Sequence, residues 1–126
     1  MMTSPLALVI EDEIDLSDIF SEALRAAGFE PEVINHGGVA QQRLQELAPE
    51  MIVLDLHLPG VDGPHLLEQI RADARLTNTK VIVTTADHQL ASTLHGKATL
   101  VLLKPISFTQ LRDLATRLKD LNLDPD

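Results

Sequence analysis

No cysteine occurs in the 126-residue chain, which excludes disulfides, thiolate zinc sites and a cysteine nucleophile. Nothing asks for an oxidising compartment, and a reducing cytoplasm is the expected setting. Tryptophan and tyrosine are also missing and only three phenylalanines are present, so the chain has no aromatic platform for stacking bases. Positive charge is scarce. Ten Lys and Arg stand against nineteen Asp and Glu, a formal net charge of -9 that opposes docking on a phosphate backbone or an anionic membrane. The expectation is no contact with DNA and none with a membrane. No apolar run reaches the roughly 18 residues of a membrane helix, and Met1-Met2-Thr3-Ser4-Pro5 carries no basic segment of an export signal.

What the chain does have is apolar material, 44% of it hydrophobic, in a length typical of one domain. One domain over residues 1–126 is expected, with its core at about 6–121 and short flexible tails at both ends. Apolar runs recur at Leu6–Ile10, Val33-Ile34, Met51–Leu54, Val81–Val83 and Leu100–Leu103. They are short and mostly apolar on consecutive positions, the pattern of strands covered on both faces. Between them lies helical spacing. Leu16, Ile19, Phe20, Ala23, Leu24 and Ala27 trace one stripe that stops at Gly28. Leu111, Leu114, Ala115, Leu118 and Leu121 trace another after Ser107, which forms a capping-box pattern with Gln110. Weaker helices are expected at roughly 39–48, 64–71 and 87–95. Five strands alternating with five helices predict an α/β fold, a doubly wound sheet with right-handed crossovers.

Ligands of such a sheet collect beyond the carboxyl ends of its strands. Glu11-Asp12-Glu13 follows the first strand, Asp55 the third, Thr84-Thr85-Ala86 the fourth and Lys104-Pro105 the fifth. Converging carboxylates repel: two unit charges about 4 Å apart cost roughly 4 kcal/mol at an effective dielectric near 20. A cation is required, and oxygen-only ligands suit Mg²⁺ better than zinc or copper. A carboxylate beside Mg²⁺, with the Lys104 ammonium and the Thr85 hydroxyl near it, is equipped to attack phosphorus. Two bland readings stand beside this one. Asp55 could be a strand-end cap or half of a salt bridge, and Glu11-Asp12-Glu13 a solvated loop capping the next helix. The histidines at 36, 57, 65, 88 and 95 show neither H-x-x-x-H nor HExxH spacing and read as surface residues.

The set Glu11-Asp12, Asp55 followed by Pro59-Gly60 and Asp62-Gly63, Thr85-Ala86, and Lys104-Pro105 resembles the receiver domain of two-component response regulators. The resemblance runs in order from about Leu6 to Leu121. It implies a flavodoxin-like five-stranded parallel sheet of order 2-1-3-4-5. It further implies phosphorylation of Asp55 by a sensor histidine kinase or phosphotransfer protein, and Mg²⁺ held by Asp12, Asp55 and the His57 backbone carbonyl. Glu11 matches the other acidic position, which usually meets a metal-bound water. A cis bond at Lys104-Pro105 is implied too. His57 and Asp87 match positions that flank the path of an attacking water and so tune the lifetime of the phosphoryl group.

The chain departs from the family pattern at two places. Receivers usually carry an aromatic three positions before the lysine, where this chain has Val101, and the interval from Thr85 to Lys104 is short, which predicts a truncated fourth helix. The leading expectation is a signalling domain, not a turnover enzyme, acting through protein contacts. A homodimer through the face formed by the fourth helix, fifth strand and fifth helix is compatible with it. One rival is a pseudo-receiver that works without phosphorylation, which loss of the acidic pair, Asp55 or Lys104 would favour. Another is an aspartyl-phosphate phosphatase, which generally places a second Asp where this chain has His57.

Overall fold

The computed structural model describes residues 4–121. The two tails expected to be flexible lie largely outside them. Five strands alternate with five helices: β1 Leu6–Ile10, α1 Ile14–Ala26, β2 Glu30–Ile34, α2 Gly37–Glu46, β3 Met51–Asp55, α3 Gly63–Ala72, β4 Lys80–Thr85, α4 His88–Ser92, β5 Leu100–Leu103 and α5 Phe108–Asp120. A 3₁₀ turn at Ala74–Leu76 follows α3. All strand pairs are parallel, in the order β2-β1-β3-β4-β5 that the sequence resemblance implies.

Because β1, β3 and β4 are covered on both sides, alternate residues feed two cores. Leu8, Ile10, Ile52, Leu54, Val81 and Val83 pack against residues of α2 and α3, with Leu90 of α4 at the margin. Ala7, Val9, Met51, Val53 and Ile82 pack on the opposite face against α1 and α5, through Phe20, Leu24, Leu111 and Ala115. Full burial of each such leucine or phenylalanine stabilises the fold by roughly 1.5–3 kcal/mol. Among the described residues no helix is long and apolar enough to cross a membrane.

Helix ends obey local chemistry. Gly28 adopts φ +98°, its N–H bonds the Arg25 carbonyl, and the Phe29 N–H reaches back to Leu24, closing α1 in a Schellman arrangement. Phe29 and Leu24 then meet in the same core. The Ser107 hydroxyl accepts the Gln110 N–H at 3.0 Å and starts α5. Three boundaries differ from the sequence expectation. β2 begins at Glu30 rather than Val33, because a polar edge strand lacks an apolar run; Glu32 instead pairs with Arg43 of α2 at 2.8 Å. α2 begins at Gly37, two residues before the expected start, because the His36 ring accepts the Gly38 N–H and caps the helix. α4 covers only five residues of the nine in 87–95, in line with the truncated fourth helix expected from the short interval to Lys104.

Gly63 fixes the loop between β3 and α3. A Cβ built there falls 2.3 Å from the Leu56 carbonyl oxygen and 2.5 Å from its Cα, backbone atoms that cannot rotate away. Gly63→Ala is therefore expected to destabilise the domain by about 2 kcal/mol, within the range for overpacking. In thermal melts that corresponds to a fall of roughly 8 °C for a chain of this size. An unchanged Tm would show that α3 is free to shift.

Candidate functional site

The sheet brings the polar strand ends together because its ladder continues past the strands. Asp55 is the last residue of β3 and pairs in register with Thr84. The Glu11 N–H bonds the Ile34 carbonyl at 3.0 Å, and the Lys104 N–H bonds the Thr85 carbonyl at 2.8 Å. The backbones of Glu11 and Lys104 are thus pinned beside β2 and β4, one residue beyond the apolar runs that hold them.

Carboxylate oxygens of Glu11, Asp12 and Asp55 lie within 4.8 Å of one another. Asp12 is exposed, whereas Glu11 and Asp55 are 1% and 2% exposed. The Lys104 ammonium stands between the two buried groups, 3.3 Å from Glu11 Oε1 and 3.5 Å from Asp55 Oδ1. Asp55 Oδ1 also accepts the His57 N–H at 3.0 Å, and Glu11 Oε2 accepts the Glu13 N–H at 3.2 Å. Burial pushes the Glu11 carboxyl up to about 7; repulsion from Asp55 adds to the rise, and the Glu13 N–H and Lys104 act against it. Glu13 is the N-cap of α1 yet makes no side-chain capping bond. The acidic run therefore serves the cluster more than the helix end, which answers the bland reading of that segment.

One ammonium against three carboxylates leaves the cluster short of positive charge. Its donors are oxygens only, and Asp12 opens it to water, a set that fits Mg²⁺.

At the end of β4, the buried Thr85 hydroxyl accepts the Asp87 N–H at 3.0 Å and lies 3.1 Å from His57 Nε2. The Asp87 carboxylate accepts the Leu90 N–H at 3.0 Å and caps α4. His57 and Asp87 thus meet at Thr85, the first through its ring and the second through its backbone. The sequence reading placed both residues near the phosphoryl path but missed the bond from His57 to Thr85. Its signal was present: a histidine two residues past β3 and a threonine closing the neighbouring strand β4. Val101 pairs in register with Val83 and packs, half-buried, against the core beneath α3 and α4. The Lys104-Pro105 bond is cis.

Residues 7–116 match the response regulator receiver domain family. The chain is 36% identical over 110 residues to the phosphate regulon transcriptional regulatory protein PhoB of Rhizobium meliloti, covering 85% of this chain and 48% of that protein. It thus spans about half the length of that relative. Its fold is that of the chemotaxis response regulator CheY4 of Vibrio cholerae, with TM-score 0.80 at 23% identity, covering 92% of this chain and 99% of the other. The receiver domain of the sensor histidine kinase PA1611 from Pseudomonas aeruginosa PAO1, whose structure has magnesium coordinated in its active-site cleft, superposes equally well, with TM-score 0.80 at 22% identity over 92% and 98% of the two chains. Sheet order, the acidic cluster and the matched sequence agree: the chain belongs to the family of response regulator receiver domains.

Proposed function

We propose that Asp55 accepts a phosphoryl group from a histidine kinase or phosphotransfer protein in a Mg²⁺-dependent reaction. The observation that carries this reading is a nearly fully buried carboxylate set between the Lys104 ammonium at 3.5 Å and an acidic pair within 4.8 Å. A carboxylate that served only as a cap or salt bridge would have no use for two further carboxylates beside it.

In the step proposed, an Asp55 carboxylate oxygen forms a bond to phosphorus. The donor's P–N bond, or the P–O bond of an acyl phosphate, breaks and its electron pair leaves with the donor. Asp12, Asp55 and the His57 carbonyl would hold Mg²⁺, with Glu11 behind them, and the ion when bound would neutralise charge on the transferring oxygens. Lys104 supplies a fixed positive charge to the same oxygens, and the Thr85 hydroxyl donates a hydrogen bond to one of them. Hydrolysis later returns the Asp55 carboxylate and releases phosphate, so the domain is a signalling element rather than a turnover enzyme. His57 and Asp87, which converge on Thr85, tune how long the adduct lasts. We further infer that residues 6–121 act as one cytoplasmic domain through protein contacts and without touching DNA. The face of α4, β5 and α5, where Leu103 is 38% exposed, would receive a second copy.

Incubation with acetyl phosphate, followed by intact-mass measurement, tests the reading. A single phosphoryl adduct is expected with Mg²⁺ and none after chelation, with its decay rate altered in His57→Ala and Asp87→Ala. An adduct that ignores Mg²⁺, or no adduct with any donor, would favour the pseudo-receiver.

A further inference from the structure

Thr85 Oγ1 sits at a junction that phosphoryl transfer alone does not explain. A hydroxyl has one proton and two lone pairs. The Asp87 N–H takes one lone pair at 3.0 Å, and the His57 ring, 3.1 Å away, takes either the second lone pair or the proton. In both cases the hydroxyl is engaged by the loops after β3 and β4, and among the described residues it makes no hydrogen bond to Asp55. The usual aromatic partner of a moving threonine is replaced by Val101, which is half-buried against the core and has no long side chain to swing. Among the described residues, His57 is the side chain that hydrogen-bonds Thr85.

We propose that His57 is a positioning residue whose unprotonated Nε2 accepts the Thr85 hydroxyl proton in the resting domain and so latches the hydroxyl away from Asp55, and that the phosphoryl oxygen, also an acceptor, competes with the imidazole for that proton. This rests on the reading that Thr85 donates to the phosphoryl group. Phosphorylation then breaks the bond between His57 and Thr85 and frees the loop between β3 and α3. The signal leaves Asp55 through the loop bearing His57, on the α3 side of the sheet, instead of through β5. The His57 carbonyl is not part of the latch, so side-chain substitutions leave it available to a metal.

The test is calorimetric titration of the Mg²⁺-loaded domain with beryllofluoride, an analogue of the aspartyl-phosphate, in wild type, His57→Phe and His57→Gln. Phenylalanine keeps a planar ring but has no hydrogen-bonding atom, whereas the glutamine amide restores one near Nε2. A neutral hydrogen bond contributes on the order of 1 kcal/mol, a factor of about fivefold. His57→Phe is expected to bind beryllofluoride about fivefold more tightly than wild type and His57→Gln to return toward wild type, with Mg²⁺ kept saturating for each variant. The ¹⁵N resonance of His57 Nε2 should shift in wild type when beryllofluoride binds. Equal or weaker binding by His57→Phe, or a static Nε2 resonance, overturns the latch alone. A wild type that binds no beryllofluoride overturns the phosphoacceptor reading and the latch with it.

Discussion

Asp55→Asn is expected to remove the phosphoryl adduct altogether and, at the same time, to raise the melting temperature of the metal-free domain. The first effect follows from chemistry: a neutral amide is no nucleophile toward phosphorus, and neither Glu11 nor Asp12 can take over a geometry centred on β3. The second follows from electrostatics. The substitution loses one attraction, to Lys104 at 3.5 Å. It relieves repulsion from the two neighbouring carboxylates, whose oxygens lie within 4.8 Å, and it removes the desolvation cost of a charge that is 2% exposed. The amide oxygen still accepts the His57 N–H. A gain on the order of 1 kcal/mol is the expected net result, since each close pair is worth a few kcal/mol at an effective dielectric near 20 and the opposing contributions largely cancel. Intact mass and thermal melts in chelator measure both effects on one sample. A variant that loses the adduct and also melts lower would mean that Asp55 holds the fold together, chiefly through Lys104, and that the acidic cluster is not under strain.

Burial against solvation also decides how much of the fold is legible in the sequence. Strands β1, β3 and β4 were legible because burial on both faces demands consecutive apolar residues, and the positions after them stood out as the polar residues next to those runs. Edge strand β2 was half-legible: Glu30, Pro31 and Glu32 lie on the sheet margin, where a proline without an N–H is tolerated and acidic side chains reach solvent or Arg43. The start of α2 was hidden for a different reason, since histidine is not among the usual capping residues and the Gly37-Gly38 pair disguises the local cap its ring makes. At the proposed site, the place of Glu11, Asp55, Thr85 and Lys104 at the carboxyl ends of their strands followed from topology. Their individual environments did not. Nothing in Glu11-Asp12-Glu13 announces that the first side chain is buried and the second exposed, because the direction of each depends on the last hydrogen bond of β1, from Glu11 to Ile34. The bond from His57 to Thr85 likewise joins residues 28 positions apart and depends on how the two loops settle above adjacent strands.

The buried state of Glu11 gives the metal-free domain an unusual pH response. Its carboxyl is pushed up to about 7 in the folded chain from an ordinary 4.5, first by burial and then by the charge on Asp55. Between those values the folded state binds more protons than the unfolded state, so stability must fall as pH rises. The contribution is fully present below about 4.5, is lost progressively toward 7 and then levels off; a shift of this size corresponds to on the order of 3 kcal/mol. The carboxylates held below their usual range act elsewhere. Glu32 is lowered chiefly by its hydrogen bond to Arg43 and Asp73 chiefly by that to Arg75, and their stabilisation is lost only as pH falls through the acid range below 4.5. Of these three carboxyls, Glu11 alone acts in the window from 4.5 to 7. Denaturant melts in chelator are expected to show stability declining across it, and Glu11→Gln, which keeps the size of the side chain and an acceptor for the Glu13 N–H, should flatten the decline. Saturating Mg²⁺ should flatten it too, since a cation beside the cluster favours the ionised carboxylate. A wild-type profile that is level or rises between pH 4.5 and 7 in chelator would show that water reaches Glu11 in the folded domain. In that case the acidic cluster would be relaxed at neutral pH without its cation, and metal binding would add little to the stability of the fold.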